Sequence, residues 1–338
     1  MITISVVMPV YNVEIPILEE AVNSILNQTY QDYEFIIIDD GSSEDTRSYL
    51  EGLQDSRIRL IRNSAHLGIT RSLNIGFREA KGKYIARMDG DDISLPARFE
   101  KQLEFMENHP DVIVCGTAVE FFGAEEFIHR RIIKDMESYR IRLLFSNPGP
   151  MHPTAFFNRA LLDCYHIKYD ESLEYAQDYG LWTVISRHGK VYILEDVLLR
   201  YRTHFRRVSS EFKNKQVQCD KVTKERLLRE LLEDVTKEEV DLQYKYGSGH
   251  FKGLAINMEM YNWFQRLIEA NNQIGIYNKK KFNNYVYNSI IKPAIYQSFS
   301  PDSSYASKIS MFFHYLPPFL ALRASAGMTV RAVLSRRK

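Results

Sequence analysis

The stretch YIARMDGDDISLP, Tyr84 to Pro96, climbs through a short apolar run and then sets Asp89, Asp91 and Asp92 within four positions. Like charges that close repel one another, and folding alone has no use for the cluster unless a cation, or a ligand carrying one, sits there. The alternation Asp89-x-Asp91 lets both carboxylates face one side of an extended segment. The run before the acids reads as a strand. PARFEKQLEFMEN after them reads as a helix, with Pro96 in its first turn.

The same rhythm extends in both directions. ISVVMPV (Ile4 to Val10), EFIIID (Glu34 to Asp39), IRLIR (Ile58 to Arg62), KYIARM (Lys83 to Met88) and DVIVCG (Asp111 to Gly116) are β-rich apolar runs. Between them PILEEAVNSILNQ, EDTRSYLEGL and GITRSLNIGFREA have helical apolar spacing, the second opening on acids as a helix N-terminus should. Strands apolar on both faces, alternating with helices, imply an α/β fold: a mostly parallel central sheet covered on both sides. From about Glu120 the rhythm changes. HPTAFF and KVYILEDVLLRYR read as further strands, with AQDYGLWTVISRHG as a helix between them. Beyond about Ser209 the pattern is helical and charged, with a boundary near residues 205–215.

The remaining composition sets limits. The 338 residues are 45% hydrophobic and 26% charged, with net charge +1, an ordinary globular balance that gives no global electrostatic case for nucleic acid. Cys115, Cys164 and Cys219 lie far apart and form no CxxC pair, which fits a reducing compartment. MITISVVMPVYN reads as a first strand, lacking the basic region and cleavage site of a signal peptide. No uninterrupted apolar run reaches the roughly 18 residues of a spanning helix.

In an open α/β sheet, ligands bind beyond the carboxyl ends of the strands. PVYN (Pro9 to Asn12), DDGSS (Asp39 to Ser43) and DGDD lie at three such ends, and neighbouring parallel strands would gather them on one rim. DDGSS and DGDD are also ordinary turns before helices, with Asp or Ser as caps; their coincidence on one rim favours a site. The chain has neither GxGxxG after its first strand nor a GxxxxGK[ST] loop. A site rich in carboxylates and poor in phosphate-cradling glycines must neutralise phosphate through a metal, and hard oxygen ligands select Mg²⁺ or Mn²⁺. One carboxylate can hold that metal while the other reaches a ribose hydroxyl.

ISVVMPVYN, SILNQTYQDYEFIIIDDGSSEDT, HLGITRSLNIGFREAKGKYIARMDGDDISLPARFEKQLEFM, HPTAFFNRALL, YDESLEYAQDYGLWTVIS and LLRYRTH together resemble the inverting glycosyltransferases of family 2, which have the GT-A nucleotide-sugar-binding fold. The resemblance runs from residue 2 to about residue 204, and nothing after Ser210 shares it. It implies a catalytic domain over 1–210, with a nucleotide-binding half to about 118 and an acceptor half over 119–210, followed by a helical region over 211–338. It further implies Pro9, Tyr11 and Asn12 at the nucleobase, with Tyr11 against the face of uracil. Asp40, with Asp39 beside it, would accept from the uracil imide, and Arg71 would contact the nucleotide. Asp91 would be the metal ligand, with Asp89 near the ribose, and Asp92 would cap the next helix. Asp178 would be the catalytic base, though Gln177 stands where the family usually has Glu. His152 and Trp182 would shape the acceptor side, and Arg202 and His204 would fold over the diphosphate.

The expected activity is a metal-dependent, inverting transfer from a UDP-sugar to a glycan or lipid-linked acceptor of a surface polysaccharide. The cofactor would be Mn²⁺ or Mg²⁺. The alternatives are a catalytically silent nucleotide- or carbohydrate-binding protein of the same fold, and a sugar nucleotidyltransferase. The last needs a glycine-rich basic loop after the first strand, which PVYNVEIPILEE is not. The C-terminal RASAGMTVRAVLSRRK, basic and without acids, follows the aromatic MFFHYLPPFLAL. Together they suit an anionic membrane surface, a helix pair packed on the catalytic domain, or a homodimer contact. A cytoplasmic protein, peripheral on the inner face of the plasma membrane, is the corresponding expectation.

Overall fold

A computed structural model describes residues 2–203, 213–247, 258–297, 310–311, 313–318 and 321–322. His204 and residues 323–338, which carry two of the expectations above, lie outside the described residues. By their contacts the residues form two units, 1–139 with 147–220, and 140–146 with 221–338.

The first unit is built on one sheet. Its strands are β1 (Ile4–Val10), β2 (Tyr33–Asp39), β3 (Ile58–Arg62), β4 (Tyr84–Arg87), β5 (Ile93–Ser94), β6 (Val112–Gly123), β7 (Phe127–His129), β8 (Phe156–Asn158) and β9 (Lys190–Thr203). Their order is β3-β2-β1-β4-β8-β6-β9-β5, with β7 on β6. β1 pairs in parallel with both β2 and β4, and β2 with β3. β8 is antiparallel to β4 and to β6, so β4 and β6 share a direction, as does β9 beside β6. β1, β2, β3, β4, β6 and β9 therefore run one way and β5, β7 and β8 the other. The expected mostly parallel sheet is present.

The central strands are apolar on both faces because both are covered. β2 is buried at every position. Helix α1 (Ile15–Leu26) covers part of one face, burying Leu18, Ala21, Val22 and Ile25, an i, i+3, i+4, i+7 stripe, and has Pro in its first turn. Each such fully buried Leu or Ile contributes about 1.5–3 kcal/mol relative to exposure. Further helices follow β2, β3 and the acidic loop: α2 (Glu44–Glu51), α3 (Ile69–Glu79) and α4 (Arg98–Asn108). Beyond them lie α5 (Met136–Leu143), α6 (Arg159–Cys164) and α7 (Gln177–His188).

Several details differ from the sequence reading. β6 continues through Gly123, past the change of rhythm near Glu120, because it pairs with β9 from Val112 to Gly123. HPTAFF is a 3₁₀ turn over His152–Thr154 before the short strand β8. β5 and β7 have two and three residues, too few for any periodicity to appear.

The second unit is helical, as expected. α8 (Lys213–Leu231) enters it, followed by α9 (Lys237–Gly247), α10 (Met258–Ile274), α11 (Lys279–Tyr285), a π-helical turn (Val286–Ile291) and α12 (Lys292–Gln297). Buried Gln243 joins its parts: Gln243 Nε2 donates to Leu144 O at 2.8 Å, and Trp263 Nε1 donates to Gln243 Oε1 at 2.9 Å. No helix among the described residues is long and apolar enough to cross a membrane.

Candidate active site

The register brings the three polar clusters to one rim. Val10 lies opposite Asp39, and Val7 opposite Arg87, so the chain leaves β1, β2 and β4 at neighbouring points. Asn12 adopts φ 50°, a left-handed conformation that Asn tolerates. Its Oδ1 accepts from Ser43 N at 2.7 Å, and its N–H donates to Ser42 Oγ at 3.2 Å. Asn12 thus ties the end of β1 to the DDGSS turn. Asp39, 1% exposed, holds the same turn from inside: Oδ1 accepts from Ser42 N at 2.9 Å and Oδ2 from Arg62 Nε at 3.1 Å. Gly41, at φ 77°, lets the next loop cross close by. A Cβ there would lie 2.8 Å from Ala65 C and His66 N.

A cavity of about 540 Å³ opens at this rim. Pro9, Tyr11, Asp40, His66, Gly68 and Ile69 form one part of its lining, and Glu174, Tyr175, Gln177 and Gln216 another. Pro9, Tyr11 and Asp40 are therefore together. Asn12 and Asp39 stand behind them as turn-holding residues. Arg71, in the first turn of α3, pairs with Glu171 at 3.1 Å, both side chains being more than half exposed.

The acidic loop is the second feature. Ligand oxygens of Asp89, Asp91 and Asp92 all lie within 4.8 Å of one another. Arg87, two residues before Asp89 and only 2% exposed, forms an ion pair with it. Burial still pushes the Asp89 carboxyl up, against the pull of Arg87 and with a push from Asp91. Asp92 is pushed up further, first by burial and then by Asp89 and Asp91. Its Oδ1 accepts from Arg202 N at 2.8 Å, and its buried Oδ2 has no protein partner. Asp92 does not cap α4, whose cap residue is Ala97. Three crowded carboxylates with one orphaned buried oxygen suit a hard divalent cation, and Mn²⁺ or Mg²⁺ fits this donor set.

The loop is braced from two sides. β5 pairs with β9, Ile93 opposite Arg200 and Ser94 opposite Leu199. Arg202 Nε donates to Asp91 O at 2.8 Å, and its guanidinium also pairs with Glu20. Arg202 thus acts here as a clamp on the acidic loop. Beneath lies Arg98, wholly buried, whose Nη2 donates to Arg87 O at 2.8 Å. Burial, helped by the charge of Arg87, pushes Arg98 down to about 9.

Asp178 sits in the first turn of α7, where the helix dipole favours negative charge. Its Oδ2 accepts from Asn147 Nδ2 at 2.9 Å, and its Oδ1 from Tyr179 N at 2.7 Å. Arg131 fixes the Asn147 loop by donating to the carbonyls of Asn147 and Gly149. Tyr169, wholly buried, lies beside His152. Its phenol is pushed up by burial, opposed by Arg87, with Asp178 and Asp89 both adding. His152 Nε2 is hydrogen-bonded to Tyr169 Oη at 2.8 Å. Burial, with Arg87 adding, holds His152 well below its usual range.

Trp182 is fully buried and acts from behind, stacked on Phe157 and edge-on to His152. A Cβ on Gly149 would lie 2.1 Å from Trp182 Cδ1. Gly149→Ala therefore forces the indole and the Asn147 loop apart. We expect a loss of about 1–3 kcal/mol, of the size that overpacking produces, in chemical denaturation.

Sequence reasoning passed over His66, Arg87, Arg98, Arg131, Asn147, Tyr169, Glu174, Tyr175 and Gln216. Arg87 had a signal, since residues i and i+2 of an extended chain share a face. Asn147 had none, because only the folded chain brings it to Asp178.

Comparison with known proteins bears on the family and the fold. Residues 5–165 match the family described as Glycosyl transferase family 2. An uncharacterized glycosyltransferase of Haemophilus influenzae is 33% identical over 241 residues, covering 65% of this chain and 72% of the relative. The Escherichia coli protein WfgD, named UDP-Glc:alpha-D-GlcNAc-diphosphoundecaprenol beta-1,3-glucosyltransferase, is 28% identical over 220 residues, 64% of this chain and 84% of that one. Among solved structures, S. aureus TarS 1-349 in complex with UDP-GlcNAc superposes with TM-score 0.58 at 17% identity, covering 87% of this chain and 90% of the other. That last likeness is one of fold.

Proposed function

We propose, for a chain that belongs to glycosyl transferase family 2, a metal-dependent inverting transfer of a hexosyl or N-acetylhexosaminyl unit from a UDP-sugar. The acceptor is a glycan or lipid-linked sugar of a surface polysaccharide. WfgD, whose name contains a UDP-sugar and a lipid diphosphate, supports that choice. The observation that carries the reading is the Asp89–Asp91–Asp92 group, three carboxylates within 4.8 Å of one another with the buried Asp92 Oδ2 left without a protein partner.

In this reading Tyr11 offers its face to the base and Asp40 its carboxylate to an N–H of the base. The acidic loop receives the diphosphate end. Bound there, Mn²⁺ or Mg²⁺ would supply Lewis-acid relief of the charge developing on the leaving diphosphate. Arg202 keeps the loop in place through the Asp91 carbonyl. Asp178 takes the proton from the attacking acceptor hydroxyl, which needs hydrogen-bond reach and one free lone pair. Asn147 holds one oxygen of that carboxylate toward its task. Attack opposite the departing diphosphate inverts the anomeric carbon, and a single base suffices.

We also propose a peripheral position on the inner face of the plasma membrane, with 305–338 as the contact. The basic and aromatic composition of that segment supports it.

The direct test mixes the protein with UDP-sugars and Mn²⁺ and follows UDP release. Release that EDTA abolishes is expected. With a suitable acceptor, NMR of the product should show the inverted anomer. Nucleotide-sugar binding without UDP release under any acceptor would mark a silent binding protein instead.

A further inference from the structure

We infer that the His66 imidazole is an internal stand-in for the donor's base, seated on the two groups that the base itself must take. This rests on the reading of the cavity as the nucleotide site. The His66 and Tyr11 rings stack face to face, with centroids 3.7 Å apart and planes 20° from parallel. His66 Nδ1 lies 2.9 Å from Asp40 Oδ2. One planar side chain therefore takes both the aromatic face and the acceptor.

Asp40 has no room for a further donor while His66 is in place. Its Oδ1 accepts from Asn63 Nδ2 at 2.6 Å and from Leu67 N at 2.9 Å, and its Oδ2 from Gly68 N at 2.9 Å. These three donors take three of the roughly four lone-pair directions of a carboxylate, and His66 Nδ1 stands 2.9 Å from Oδ2. All three donors are fixed: two are backbone amides of the loop that Gly41 admits, and Asn63 is 7% exposed. The His66 side chain is 48% exposed. It can leave by side-chain rotation alone, with the loop backbone staying on Asp40. A base with an N–H, such as uracil, then replaces the His66 ring against both Tyr11 and Asp40. Binding is an exchange, and the apparent affinity falls by the fraction of molecules whose seat is open.

An exchange of this kind has a signature. The cost of opening the seat is the same whatever follows the base. His66→Ala should therefore tighten UDP, UMP and uridine by one common factor of about tenfold, the equivalent of one lost aromatic pair. His66→Phe, which keeps the ring and loses the N–H, should tighten them by less. Calorimetry with UDP and Mn²⁺, and with UMP and uridine, reads these factors. NMR should also show the His66 ring-carbon proton signals leaving their stacked position as UDP is added. Weaker or unchanged binding by His66→Ala overturns the inference, as do factors that differ among the three ligands. Failure of the wild-type protein to bind UDP at all would instead overturn the nucleotide reading of the cavity.

Discussion

Asp178→Asn should lower kcat by about 10²–10⁴-fold, the usual contribution of a positioned general base, and leave the nucleotide Kd near its wild-type value. The change preserves shape. It removes the charge and the lone pair that accept the proton. The amide oxygen of the substituted side chain can still accept from Tyr179 N, as Asp178 does at 2.7 Å. Its new amide nitrogen would face the Asn147 Nδ2 that now donates to Asp178 at 2.9 Å. Asn147 would have to turn, giving up the bond from Gly149 N to its Oδ1. A small loss of stability should therefore accompany a large loss of rate. Single-turnover kinetics beside UDP calorimetry separates the two. Turnover near the wild-type rate would remove Asp178 from the base role.

Asp91→Ala should act on the other end of the donor. With Mn²⁺ present, UDP should bind at least about 10–100-fold more weakly, a loss that even outer partners of metal sites produce. Without Mn²⁺ the variant and the wild-type protein should bind UDP alike, because Tyr11 and Asp40 lie away from the change. Calorimetry in four arms, with and without metal for each protein, reads this directly. An equal loss in both pairs would mean that Asp91 shapes the pocket and does not hold the cation. Asp92 is the informative neighbour, since its Oδ1 is committed to Arg202 N while its Oδ2 has no protein partner.

The sheet was readable because its signal is strong and local. β1, β3 and the other long elements have runs of apolar residues bounded by turn residues. Their parallel order follows from the helices between them. Tyr11, Asp40 and Asp89 were legible for the same reason, as polar groups at the ends of apolar strands. What escaped depends on contacts distant in sequence. β5 is a strand only because Arg200 and Leu199 lie beside it. Asn147 matters only because the fold places it against Asp178. Trp182, expected on the acceptor side, is fully buried, and Gly149 leaves room for its indole. Arg202 looked like a free cation over the diphosphate. In the fold its guanidinium is engaged by Asp91 O and Glu20. No sequence pattern marks His66 as a ring that fills another ring's seat.

The most direct test of the central claim is anomalous diffraction from a crystal soaked in MnCl₂ and UDP. A single manganese peak should stand between the diphosphate and the acidic loop, about 2.0–2.2 Å from an Asp91 oxygen. UDP well ordered in the cavity, with no peak at Asp89, Asp91 or Asp92, would contradict it.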